Sequence, residues 1–114
     1  MTDAVYPVAL IGVGNMGAAM AANLLDRGWP VHVCDRIAAR SWALAASGAT
    51  PHATPADAAR PATVVIVCVR DAAQTRCVLF GQGQVADAMH LGHSVMLCAT
   101  MAAVDVEQIA LQLR

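Results

Sequence analysis

With 114 residues, 58% of them apolar and only 13% charged, the chain has room for a single hydrophobic core. An average soluble protein carries roughly 25% charged residues, so the apolar surplus suits strands covered on both faces, or a piece whose apolar surface something else covers. The net charge of −1 and the lack of any basic stretch exclude an electrostatic footprint for nucleic acid.

In chain order, Tyr6–Ile11 reads as a strand and Met16–Arg27 as a helix, closed by Gly28. Val31–Cys34 is a second short strand between Pro30 and Asp35. A helix over Ile37–Ser47 ends before Gly48, and an extended piece follows around Thr50–His52. "TPADAA" at 54–59 starts a helix: Thr54 caps it, Pro55 takes the first position, and Asp57 stands where a capping box places its acid. "TVVIVCV" at 63–69 shows no alternation, as a central parallel strand covered on both faces requires. Asp71–Phe80 is helical, Val85–His90 forms a short helix, "SVMLCA" at 94–99 is another buried strand, and Val104–Leu113 is a last amphipathic helix. Strands alternating with helices at this spacing predict βαβ units and an open parallel sheet.

The uncharged run Ala4–Leu25 is long, but Pro7, Asn15, Asn23 and three glycines make it a poor membrane span, and no positive charge precedes it as in a signal peptide. A cytoplasmic protein without membrane contact is therefore expected. Cys34, Cys68, Cys77 and Cys98 show neither metal nor redox spacing and are expected to be buried free thiols. His90 and His93 form an H-x-x-H beside Gly92 without acidic neighbours, so no metal site is expected.

Gly12-Val13-Gly14-Asn15-Met16-Gly17 carries the chemistry. A G-x-G-x-x-G is weak alone, but here it follows a predicted strand and opens a predicted helix, as a dinucleotide fingerprint demands. Gly12 permits the tight turn, Gly14 lets a pyrophosphate approach the backbone, and Gly17 lets the helix pack against the strand. The helix N-terminus then offers free N–H groups and a positive dipole end. Asp35, closing "VHVCD", supplies the acid expected roughly 20 residues further on, where a carboxylate accepts the ribose hydroxyls and repels a 2′-phosphate. Arg36 pulls the other way, toward NADP. NAD is favoured and NADP is second. A glycine turn with a solvated aspartate, a flavin and S-adenosylmethionine remain as alternatives.

"IGVGNMGAAMAANLLDRG" resembles the opening of the β-hydroxyacid dehydrogenases, the group of 3-hydroxyisobutyrate dehydrogenase and tartronate semialdehyde reductase. "DAAQTRCVLFGQGQVADAM" followed by "GHSVMLCATM" resembles the L-threonate dehydrogenase branch in particular. The resemblance implies an α/β, Rossmann-type doubly wound parallel sheet, truncated here before its last strands. Residues 1–114 are then a partial dinucleotide-binding domain without the helical substrate domain. It also implies cofactor contacts at Val69, Arg70 and Thr100, at the ends of two further strands. Relatives often have Leu-Pro in place of Val69-Arg70 and serine in place of Ala99.

In that family a lysine moves the proton during hydride transfer, whereas all seven basic residues here are arginines. The chain alone is thus expected to bind a cofactor without catalysis. The longer enzyme it resembles would act on a small hydroxy acid, such as 3-hydroxyisobutyrate or L-threonate. A non-catalytic nucleotide-binding or assembly module is the competing reading, and a methyltransferase the third. Asp71 and Asp105 are expected as helix N-caps rather than catalytic groups. The apolar run at 94–99, left as a sheet edge, is expected to pair with another chain and give a homo-oligomer.

Overall fold

The computed structural model describes residues 6–82, 84–90, 92–98 and 101–113. Five strands form one parallel sheet: β1 (Val8–Ile11), β2 (Val31–Cys34), β3 (Thr50–Pro51), β4 (Val64–Val67) and β5 (Ser94–Leu97). Between them run α1 (Asn15–Asp26), α2 (Ala38–Ala45), α3 (Pro55–Ala59), α4 (Ala72–Phe80) and α5 (Val85–Ala88), and α6 (Ala103–Gln112) follows β5. The strand order is β3-β2-β1-β4-β5. From β1 the chain steps outward to β2 and β3, then returns to β1's other side for β4. The reversal between β1 and β4 is the switch point at which open α/β sheets bind ligands.

All four residues of β1 are buried, because strands flank it and helices cover both faces. Val8 and Leu10 face one side, where Val31, Val33, Ala49 and Ile66 meet Met20, Leu24 and Leu25 of α1 and Leu44 of α2. Ala9 and Ile11 face the other, among Val65, Val67, Leu79, Val85 and Ile109. Each of the fully buried Leu10, Val33 and Val65 stabilises the fold by about 1.5–3 kcal/mol relative to exposure. Ala56, Ala58, Ala59 and Ala62 belong to the second core, and their small side chains let α3 lie close against β1 and β2.

The strands are shorter than the apolar runs suggest: β1 starts at Val8 rather than Tyr6, and β4 spans 64–67 of the predicted 63–69. At the end of α1, Gly28 turns left-handed (φ +81°) and the N–H of Trp29 donates to the carbonyl of Leu24, closing the helix as expected. Thr54 caps α3 by accepting from the N–H of Asp57 at 3.2 Å. The Asp57 carboxylate, placed for a capping box, instead takes Arg60 at 2.6 Å. Asp71 caps α4, accepting from Gln74 N–H at 2.9 Å. Asp105 is no cap: it sits in the first turn of α6, whose N-cap is Ala102, and pairs with Arg76 of α4 at 2.8 Å.

Two burial expectations are overturned. β5 is not buried on both faces: Ser94 and Met96 are exposed, while Val95 and Leu97 are half-buried and pack with the second core. The helices covering the first core lie over β1, β2 and β3, leaving one face of this edge strand open. Of the four free thiols only Cys34 is buried; Cys68 and Cys98 are half-buried and Cys77 is exposed. Among the described residues no helix is long and apolar enough to cross a membrane.

Candidate dinucleotide cleft

The carboxyl ends of β1, β2 and β4 open into a cleft of about 550 Å³. Its floor is the glycine turn between β1 and α1. Gly12 has φ +95°, and a Cβ there would strike the Cys68 carbonyl of the neighbouring strand. A Cβ at Gly17 would strike the Gly12 carbonyl, so α1 reaches this depth only because the residue is glycine. Gly14 differs: a Cβ there would meet no protein atom within 4 Å. The protein's own packing leaves that position open, and the space above it belongs to the cleft. Gly14 is also the N-cap of α1 and supplies no capping side chain, so the first N–H groups of that helix are free for an anion.

Asp35 is neither solvated nor idle. Its side chain is 6% exposed. Its Oδ2 accepts from the Val13 N–H at 2.8 Å, and its Oδ1 accepts from the Ile37 N–H at 2.7 Å. The acid thus braces the glycine turn against the start of α2. Two of a carboxylate's four acceptor positions are used in this way, which leaves two to accept from a ligand. Arg40 Nη1 stands 3.8 Å from Oδ1. Together Arg36, Arg40 and Arg70 give the cleft wall a cationic surplus over Asp35, which suits a diphosphate.

The predicted site residues divide three ways. Gly12, Gly14, Asn15, Met16, Gly17, Asp35, Arg36, Val69 and Arg70 all line the cleft. Val13 does not: its side chain is 4% exposed in the first core, and its N–H is held by Asp35. Thr100 lies outside the described residues. Sequence reasoning missed Arg40, Cys68 and Gln74. Gln74 Oε1 accepts from the Arg70 N–H at 2.9 Å and so sets the turn that carries Arg70. The signal for it was present in Asp71-x-x-Gln74, a capping-box spacing.

Burial pushes the Cys34 thiol above its ordinary range, with Asp35 and Asp57 adding to the shift. It enters the cleft wall as a neutral, unreactive thiol. Among the described residues no cluster of three His, Cys, Asp or Glu side chains could hold a metal. The arrangement offers free helix N–H groups to an anion, carboxylate acceptor positions nearby, and backbone approach without side-chain obstruction.

Comparison with known proteins agrees with this geometry. Residues 7–114 match the family described as the NAD binding domain of 6-phosphogluconate dehydrogenase. L-threonate dehydrogenase of Cupriavidus necator is 38% identical over 94 residues, covering 82% of this chain and 32% of that protein. The structure of 3-hydroxyisobutyrate dehydrogenase from Salmonella typhimurium superposes with a TM-score of 0.88 at 31% identity, over 95% of this chain and 38% of that one. An imine reductase variant from Myxococcus stipitatus, solved in complex with NAD+, gives 0.83 at 26% identity, over 96% and 38%. The chain spans about a third of the length of the curated relatives it matches. By sequence, fold and cleft, it belongs to the NAD-binding domain family of 6-phosphogluconate dehydrogenase and its β-hydroxyacid dehydrogenase relatives.

Proposed function

We propose that the chain holds NAD in this cleft, in preference to NADP, and that it does so as the cofactor-binding part of an oxidoreductase acting on a small hydroxy acid. The observation that carries the cofactor reading is the pairing of Gly14, open and uncapped at the start of α1, with Asp35, buried but with acceptor positions to spare. Pyrophosphate oxygens take the α1 N–H groups, and the adenosine ribose takes Asp35. A 2′-phosphate meets that carboxylate, whose repulsion Arg36 and Arg40 offset only in part. Val69 and Arg70 border the nicotinamide-side half of the cleft. Support for the hydroxy acid comes from the activities named in the relatives, L-threonate dehydrogenase and 3-hydroxyisobutyrate dehydrogenase. The chain contains no lysine, the residue that moves the proton in the family it resembles, and its seven arginines do not release theirs. On this reading the chain alone binds the cofactor without turnover.

Calorimetric titration with NADH and NADPH tests the cofactor reading. NADH binds more tightly than NADPH, and Asp35→Asn narrows the gap from both sides, weakening NADH and relieving the repulsion of the NADPH 2′-phosphate. A chain that is folded by circular dichroism yet binds neither cofactor refutes the proposal.

A further inference from the structure

Three sulfur-bearing side chains, from α1 and from the ends of β4 and β5, pack against the first core. Cys68 and Cys98 continue β4 and β5 by one residue each: the Cys68 N–H donates to Ile11 at 2.8 Å and the Cys98 N–H to Val67 at 2.9 Å. They are therefore the next neighbours after the register pair Val67↔Leu97, with both side chains against the first core. Met20 of α1 lies against Cys68, its Sδ 3.8 Å from the Cys68 Sγ. Burial, and then the adjoining Cys98 thiol, push the Cys68 thiol up to about 11.

Neighbouring parallel strands stand about 4.8 Å apart, wider than the Cβ separation of about 3.8 Å that a disulfide prefers. A cation between the sulfurs fits the spacing better. Three sulfurs each about 2.3 Å from a shared ion lie about 4 Å from one another, and the Cys68–Met20 pair already stands at 3.8 Å. Two thiols and a thioether are soft donors with no nitrogen or oxygen ligand among them, and three such sulfurs suit copper(I), whereas zinc takes four ligands in its structural sites.

We propose that Met20, Cys68 and Cys98 form a three-sulfur site for copper(I). On binding, each thiol loses its proton to solvent and both thiolates and the Met20 thioether bond the ion. One Cu+ thus replaces two protons, and no electron is transferred. Binding tightens as pH rises, because the thiols must be deprotonated.

The test is competition against the coloured bicinchoninate complex of copper(I), without oxygen and with a phosphine reductant. Cys77→Ser serves as background, to remove the exposed thiol. This protein captures a single equivalent. Cys68→Ala and Cys98→Ala each abolish the capture, and Met20→Leu, close in volume, weakens it. X-ray absorption on the loaded Cys77→Ser protein finds sulfur neighbours alone around copper, a readout independent of how the other variants fold. Capture that survives Cys68→Ala, a Met20→Leu variant as strong as its background, or nitrogen neighbours at the metal overturns the site.

Discussion

Replacing Asp35 with alanine takes the acceptor from two backbone N–H groups at once, and the cost follows from where each is left. Val13 is 4% exposed, so its N–H, now donating to Asp35 at 2.8 Å, loses its partner where water has little access. A stranded buried donor costs about 1–3 kcal/mol. Ile37 is 46% exposed, so its N–H rehydrates and that end costs about 1 kcal/mol. The expected loss is about 2–4 kcal/mol, a large share of the roughly 5–15 kcal/mol that holds a small domain together. Asp35→Asn retains a carbonyl oxygen for Val13 and costs about 1 kcal/mol. Urea unfolding followed by circular dichroism separates the two variants, provided the slope with denaturant is unchanged. An alanine variant that unfolds within about 0.5 kcal/mol of the parent refutes the bracing role. An asparagine variant as unstable as alanine refutes the division of the two ends.

Gly17→Ala drives a methyl group into the Gly12 carbonyl and should cost about 1–3 kcal/mol while abolishing NADH binding, both measurable on one preparation by urea titration and calorimetry. His32 and His52 share a ring-nitrogen hydrogen bond of 2.9 Å, and burial, then His52, lower the His32 pKa from 6.5. The unfolded chain therefore binds protons more readily, so this stability is complete above pH 6.5 and is lost as pH falls toward the folded-state value. Urea midpoints should drop between about pH 7.5 and about pH 5.5 and should drop less in His32→Gln; equal slopes in both proteins would contradict the linkage. Self-pairing through the β5 edge is expected at high concentration, and Met96→Lys, at an exposed position, should shift the protein toward monomer in size-exclusion chromatography. A parent that elutes as monomer throughout argues against that pairing.

Local chemistry made much of this protein legible in its residues. The β-branched runs announced four of the strands, and Gly28 and Gly48 stopped the helices before them. Thr54 and Asp71 capped the helices that their side-chain oxygens suggested. The glycine turn was readable because each of Gly12, Gly14 and Gly17 answers a steric demand that recurs wherever a strand hands a phosphate to a helix. Asp35 could be placed at the mouth of that turn by counting alone. What counting could not reveal was its partners, since the Val13 N–H lies 22 residues away in sequence.

The same limit explains the errors. "SVMLCA" carries the composition of a buried strand, and β5 takes the edge position expected of it, yet the helices of one face do not reach it. Cys68 and Cys98 are 30 positions apart in sequence and become neighbours only when β4 and β5 pair in register, while α1 brings Met20 against Cys68. Asp105 looked like a cap until α6 packed near Arg76 of α4. Secondary structure and the phosphate turn depend on backbone sterics within a few residues, so the sequence by itself determined them. Burial, the reach of a carboxylate and the side-by-side placing of Cys68 and Cys98 depend on which strand lies beside which, and the tertiary structure alone decided those.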